Sequence, residues 1–438
     1  IQVKLLLLTM LKQFSLFVIS IFFLACKSAQ VTQTNTDNKN NVATHSSENF
    51  LDSLMRTKPE WFSEIMQKAD DYRVKIIYTK IDRAADNTPH FTEYSYHNNA
   101  AYFYPASTIK FPLSILALEK INNLQVPGVS MLTTMITDTS LVAAAHYTQP
   151  TAMNSTPSIA NYIKQILLVS DNDASNQLYE FLGQQAINET LHAKGYTSAE
   201  IRHRLQIARS ADQNRITNPV YFTDSNGSVI YQQALKKSIY SFPERNDFIG
   251  KGYIGKDDAV VYEPFNFSQK NKFELSDLTQ ILKAIIFPNA MPINKRFNLT
   301  QSDYKFLHHY MSAWPRESKY PSYSDTDYYY DTYCKFLLLG SEKGTPQKGI
   351  RIFNKVGDAY GFLTDIAYVV DFENNIEFML SATIYCNSDG IFNDDKYDYD
   401  AIGYPFMKHI GQLIYDYEKE RVRVFKPDLN QFKFDYAE

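Results

Sequence analysis

The chain has 438 residues, of which 44% are hydrophobic and 21% charged. This is the balance of a globular protein long enough to bury a large core, and it excludes a disordered or fibrous chain. The formal net charge of −4 lacks the basic footprint of nucleic-acid binding, so no nucleic-acid partner is expected. Tyr (32) and Phe (29) are abundant and Gly (15) is scarce, which reads as packing and cleft-lining material.

In chain order, the segment from Met10 carries Lys12, an apolar run from Phe14 to Ala25, and then Cys26. The run is shorter than the roughly 20 residues that span a bilayer, so it reads as an export signal. Its FLAC ending is similar to a bacterial lipoprotein box, whose cysteine is acylated. Residues 1–26 are thus expected to be a lipoprotein signal peptide with lipidation on Cys26, and a start at Met10 would leave 1–9 untranslated. Residues 27–48 are polar, as a flexible tether would be. The expected location is extracytoplasmic, with the protein held to a bacterial membrane by lipid.

The globular part spans 49–438. A first amphipathic helix is predicted through FLDSLM and WFSEIMQKADD, followed by strands over 72–81 and 93–104 with Asp86, Asn87 and Pro89 between them. A helix opening at Ser107 has apolar Ile109, Leu113, Leu116 and Ile121, which marks it as central. A largely helical middle runs to about residue 220, one of its helices stopping at Gly183. Residues 219–272 hold the turn signals DSNG and GKGYIGKDD and read as an inserted loop-and-hairpin region. Two further helices lead to three strands over 350–386, the last two joined around Glu373, Asn374 and Asn375, and to a closing helix at YPFMKHIGQLIYDYEK. The order predicts an α+β fold: one five-stranded antiparallel sheet flanked by helices, plus an all-helical lobe.

Three motifs carry the chemistry, and none is strong alone. Ser107 and Lys110 sit three apart where an extended stretch turns into a helix, but Ser302 and Lys305 repeat the spacing inside a surface helix. Ser170–Asp171–Asn172 lies between two helices, where Asp or Asn would serve as a cap. Lys355–Val356–Gly357, ahead of Asp358, falls on the first of the last three strands.

Taken together, in this order and on these elements, they resemble the penicillin-recognising serine enzymes, and within them the class A β-lactamase-like group. The resemblance covers roughly residues 50–418 and implies a β-lactamase/transpeptidase-like fold and a serine hydrolase working through an acyl-enzyme. It implies Ser107 as nucleophile, Lys110 as its base, Ser170 as proton shuttle to the leaving nitrogen and Lys355 as a cation for a substrate carboxylate. It also implies that Asn172 holds the substrate amide and that Gly357 lets substrate lie along the strand edge. The N–H groups of Ser107 and Asp358 would form the oxyanion hole.

Two departures matter. Val356 stands where a hydroxyl residue is usual, and the Glu-x-x-Leu-Asn pattern that activates the deacylating water is absent from SAEIRHRLQIARSADQNRITNPVYF. Glu200 and Asp212 are the nearby carboxylates and are expected to be solvated. The expected activity is therefore acylation by a β-lactam or peptidoglycan-derived amide with slow deacylation. A D,D-peptidase and a non-hydrolytic penicillin-binding sensor stay open as alternatives. No cofactor or metal is expected: Cys26, Cys334 and Cys386 make no CxxC site, HExxH and the Gly-rich nucleotide loops are absent, and adjacent His308 and His309 point about 100° apart. The tyrosine-rich stretch 323–336 could border the cleft but reads first as aromatic packing, and Cys386 reads as a buried small hydrophobe.

Overall fold

A computed structural model describes residues 45–97, 101–139 and 146–436. Cys26, the signal segment and nearly all of the 27–48 stretch lie outside the described residues. The first helix, α1 (His45–Met55), includes the last residues of that stretch.

Five strands build the central sheet: β1 (Lys75–Arg83), β2 (Pro89–Tyr96), β3 (Ile350–Ala359), β4 (Phe362–Asp371) and β5 (Ile376–Tyr385). Their spatial order is β3-β4-β5-β1-β2, every pair antiparallel. Distant parts of the chain meet where β1 pairs β5, from Lys75 opposite Thr383 to Lys80 opposite Phe378. Alternate residues divide between two cores. On β1, Ile77 and Ile81 face one core, while Ile76 and Tyr78 face the other. On β4, Ile366, Tyr368 and Val370 oppose Leu363, Ala367 and Val369 in the same way. With both faces covered, the strands read as nearly continuous apolar runs, which is why 350–386 was legible.

One face is covered by α1, by α2 (Pro59–Gln67) and by the closing helix of the chain, Tyr404–Glu420. The predicted first helix is in fact two. Pro59 supplies no N–H for a continuing helix but is well placed at the start of a new one. The strand predicted over 93–104 begins earlier, at Pro89, and its hairpin turn is 84–88, with Asn87 at φ +67.

The other face carries the helical lobe. Its axis is α3 (Lys110–Leu124), in which every residue from Lys110 to Glu119 is buried. Helices α4 (Ile159–Val169) and α5 (Asn172–Leu182) pack on it, followed by α6 (Gln184–Ala193), α7 (Leu275–Ile286) and α8 (Gln301–Ser312). Residues 219–272 form short strands. Val220–Thr223 pairs with Val229–Gln233 around Asp224, whose carboxylate accepts from the N–H groups of Asn226 and Ser228, and Gly252–Ile254 pairs with Val260–Val261 and with Ile391–Phe392. Hence the α+β architecture expected from the element order, a five-stranded antiparallel sheet beside a helical lobe, is the one that forms.

Candidate active site

The site forms where α3, the α4–α5 junction and edge strand β3 meet. Ser107 does not open α3 directly. It sits in a 3₁₀ turn, Ala106–Ile109, with Lys110 beginning the α-helix behind it. The turn is pinned by Thr108, whose N–H and hydroxyl both donate to Pro105 O, at 3.1 and 2.6 Å. Ala106 is held at φ +46, a left-handed conformation that costs a residue with a Cβ about 1 kcal/mol or more.

Gly357 explains how the turn is kept there. A Cβ at this position would lie 2.7 Å from Pro105 O and 2.9 Å from the backbone nitrogens of Ser107 and Thr108. The glycine thus leaves room for the back of the Ser107 turn. This contact also sets the Ser107 N–H beside β3, whose next residue is Asp358.

Lys110 is fully buried, and Lys355 is 2% exposed. Both aim at Ser170. Lys355 Nζ donates to Ser170 Oγ at 2.7 Å and to Val356 O at 2.8 Å. Lys110 Nζ lies 3.3 Å from Ser170 Oγ and donates to Ser170 O. Ser170 can take this place because it ends α4 at φ +60, leaving its hydroxyl and carbonyl free of the helix. Desolvation and the neighbouring Lys355 charge hold Lys110 well below the usual lysine range, opposed by Asp171 and Asp358. Burial lowers Lys355 to about 8.

Ser302 and Lys305, with the same spacing, are both exposed on α8, and Ser302 Oγ meets Thr300 Oγ1 at 2.8 Å. Identical spacing therefore leads to a buried amine in one case and a solvated one in the other.

Asp171 caps α5 by accepting from Ala174 N–H at 2.7 Å, and Asn172 Nδ2 donates to Gln206 Oε1 at 2.6 Å. Asp358 opens onto the cleft and makes no ion pair among the described residues.

The loop after α6 corrects one expectation. Glu200 is buried, 7% exposed, and its carboxylate accepts from Arg202 at 2.7 and 2.9 Å with Arg245 at 3.3 Å. It is a structural anion. Asp212 is exposed in a single turn, Ala211–Asn214, away from the cleft lining. The loop instead presents His203, Leu205, Gln206, Ile207 and Ala208 to the cleft. His203 Nδ1 donates to Arg204 O at 2.6 Å, its Nε2 accepts from Asn271 N–H at 3.3 Å, and burial lowers the ring to about 4.

The cleft encloses about 860 Å³. The stretch 323–336, expected to be packing, contributes Tyr330 and Tyr333 to its wall, joined by Tyr104, Tyr360, Tyr397 and Tyr399. Composition hinted at this, but no periodicity marked which tyrosines would face in. Lys270, also unmarked in the sequence, reaches the wall and donates to Tyr360 OH at 3.2 Å.

Behind β3 lies a buried network that no motif indicated. Lys335 Nζ donates to Met311 O (2.7 Å), Ile352 O (3.0 Å) and Asn354 Oδ1 (2.7 Å). Asn354 Nδ2 donates in turn to Asp365 at 2.9 Å, and Asp365 also accepts from the N–H groups of Phe336 and Leu337. Desolvation drives Lys335 down to about 7 and Asp365 up to about 6. The network ties the segment after Cys334 to the strand that carries Lys355.

With sheet order, helical lobe and site in view, the fold is β-lactamase/transpeptidase-like. Residues 62–239 match the model of the beta-lactamase enzyme family. No curated protein matches the chain. Among solved structures, similarity extends to a beta lactamase from Xanthomonas campestris pv. campestris at 16% identity, covering 83% of this chain and 98% of that one, TM-score 0.45. A class A beta-lactamase from Clostridium kluyveri is similar at 16% identity, covering 82% and 98%, TM-score 0.45. A beta-lactamase from Burkholderia phymatum is similar at 13% identity, covering 83% and 98%, TM-score 0.47.

Proposed function

We propose that the protein is an extracytoplasmic serine hydrolase, lipid-anchored at Cys26, that is acylated on Ser107 by a β-lactam or peptidoglycan-type amide and releases the acyl group slowly. The observation that carries this reading is the convergence of two buried lysine amines, Lys110 and Lys355, on Ser170 Oγ, with Lys110 one helical turn beyond Ser107 and Ala106 before it held at φ +46.

A serine hydroxyl needs a base to become nucleophilic near neutral pH. Lys110, desolvated and beside a second cation, is suited to be neutral there. In that form its lone pair accepts a proton: Ser107 Oγ bonds to the carbonyl carbon as its proton passes to Lys110. The N–H groups of Ser107 and Asp358 receive the developing oxyanion, each such donor being worth about 3–4 kcal/mol. The C–N bond then breaks, and the leaving nitrogen takes a proton through Ser170, which Lys110 and Lys355 both contact.

Water must next cleave the ester, and here the chain offers little. Glu200 is committed to Arg202 and Arg245, and both ring nitrogens of His203 are engaged. No carboxylate from the 200–215 loop lines the cleft among the described residues. The absence of a carboxylate from this loop supports slow deacylation. Intact-protein mass spectrometry after mixing with a reporter penicillin tests the reading, with Ser107→Ala alongside. An adduct that forms on the wild type, persists and is absent from the variant is expected. No adduct, or an equal one on the variant, overturns it.

A further inference from the structure

The globular part is entered at one end of the sheet. α1 lies along β2: the Phe50 ring is 4.4 Å from that of Tyr94, and the charges of Asp52 and Arg56 act on Tyr96, further from the hairpin turn. Going back from Phe50 to His45 therefore heads toward the 84–88 turn. The closing helix agrees. Trp61 of α2 stacks on His409 at 4.6 Å while Phe50 meets Tyr417 at 5.1 Å, so the start of α1 lies toward the Glu420 end of that helix. His45 is 19 residues after Cys26 (45 − 26), and a coil of that length reaches about 24 Å.

At this same end the chain turns its polarity inside out. Arg421, Val422, Arg423, Val424 and Phe425 follow the helix, and it is the cations that fold inward. Arg421 donates to Glu418 and to Ile81 O, each at 2.9 Å, and to Asp82. Arg423 donates to Glu418 O at 2.6 Å and to the Glu418 carboxylate, which also accepts from Tyr78 OH of β1. Val422 and Val424, by contrast, are 91% and 89% exposed, and Phe425 is 44% exposed. Three apolar side chains are thus clamped outward by the ion pairs beneath them, an arrangement that gains nothing in water. Against a bilayer they would enter the acyl boundary, with exposed Lys426 at the level of the lipid phosphates.

The catalytic cleft is at the far end of the sheet. Lys80 stands opposite Phe378, Phe378 opposite Val369, and Val369 opposite Ile352. Asp82 is two residues from this row on the strip side, and Asp358 is six residues from it on the other. Eight residues at about 3.3 Å each put them about 26 Å apart along the sheet.

We propose that Val422, Val424 and Phe425 form a membrane seat, which rests this end of the protein on the lipid surface and points the cleft away from it, toward acyl donors arriving from outside the bilayer. This rests on the lipid-anchor reading above and adds an orientation to it.

The test uses the full lipidated chain on phosphatidylcholine vesicles whose acyl chains carry bromine, a quencher of tryptophan. Phe425→Trp reports on the seat and Asp395→Trp on the exposed rim of the cleft, each read as the emission added to that of Trp61 and Trp314. The tryptophan at 425 is expected to lose at least about half its emission and the one at 395 less than about a tenth. Val424→Trp repeats the first reading should the 425 variant fold poorly. Acylated, vesicle-bound protein with no quenching at 425 or 424, or with equal quenching at 395, overturns the seat and leaves the anchor standing. A blue shift at 425 that grows with protein concentration in lipid-free detergent solution, without quenching on vesicles, means that a second copy covers the strip and also overturns it. Protein without an acyl group on Cys26, and absent from the vesicles, overturns the anchor reading, and the seat falls with it.

Discussion

Lys355 is placed to tune Lys110 by charge, and the size of that effect follows from Ser170. The two ammonium nitrogens lie 3.3 and 2.7 Å from the same oxygen, so they are separated by no more than the sum, 6.0 Å. At about 6 Å, with an effective dielectric of about 20, two unit charges repel by about 3 kcal/mol, equivalent to about two pH units of proton affinity. The sign is fixed by the base's role. Lys110 serves only when neutral, so acylation climbs as pH rises through its pKa. Below about 8 Lys355 is charged, and its repulsion keeps the Lys110 pKa low. In Lys355→Met the repulsion is gone, the Lys110 pKa rises, and the midpoint of the acid limb moves to higher pH by about two units. Lys355→Arg keeps the charge and should keep the midpoint. The assay is the rate of reporter acylation from about pH 5 to about pH 10, read by its midpoint, since loss of the Ser170 contact lowers the amplitude in any case. A midpoint in Lys355→Met that stays put or moves to lower pH refutes the assignment of Lys110 as a charge-tuned base.

Gly357→Ala would drive a Cβ into backbone atoms at 2.7 and 2.9 Å; acylation is expected to fall at least about 100-fold with a stability loss of about 1–3 kcal/mol, and near-normal acylation kinetics would contradict the packing account. Lys335→Met strips three buried acceptors of their donor and should lower the unfolding free energy in urea by about 2–4 kcal/mol. Because the folded pKa of Lys335 is about 7, below its ordinary 10.5, the unfolded chain binds the extra proton between these values. The wild type therefore gains stability from this residue as pH rises through that window, and the deficit of Lys335→Met should widen in parallel; a deficit that narrows would contradict the assignment. Glu200→Gln breaks a buried ion pair and should cost about 3 kcal/mol or more of stability, while the acyl-enzyme lifetime stays within about twofold. A lifetime lengthened tenfold in that variant would make Glu200 the deacylating base.

What the sequence disclosed and what it withheld divide along physical lines. The sheet was legible because β3, β4 and β5 are buried on both faces over nearly their whole length and read as largely apolar runs. The helical lobe was legible from 3.6-residue periodicity and from caps such as Asp171 and Gly183. The Ser107–Lys110 spacing alone meant nothing, as exposed Ser302 and Lys305 show; burial separates the two pairs, and burial is a tertiary property. The close packing at Gly357 was not legible because the atoms a Cβ would strike belong to a turn some 250 residues earlier in the chain. Glu200 looked solvated because one of its partners, Arg245, arrives from the short-stranded 219–272 region. Lys335 and the cleft tyrosines carry no motif, and only the path of the chain brings them to β3 and the cleft wall.

The central claim, that Ser107 is the residue acylated, is tested most directly by locating the modification. The wild-type protein is labelled with a reporter penicillin, digested and mapped by tandem mass spectrometry. The account predicts the acyl group on the peptide containing Ser107 and on no other. Label on Lys355, on the cleft-lining thiol of Cys334 or on surface lysines, with Ser107 unmodified, would contradict it.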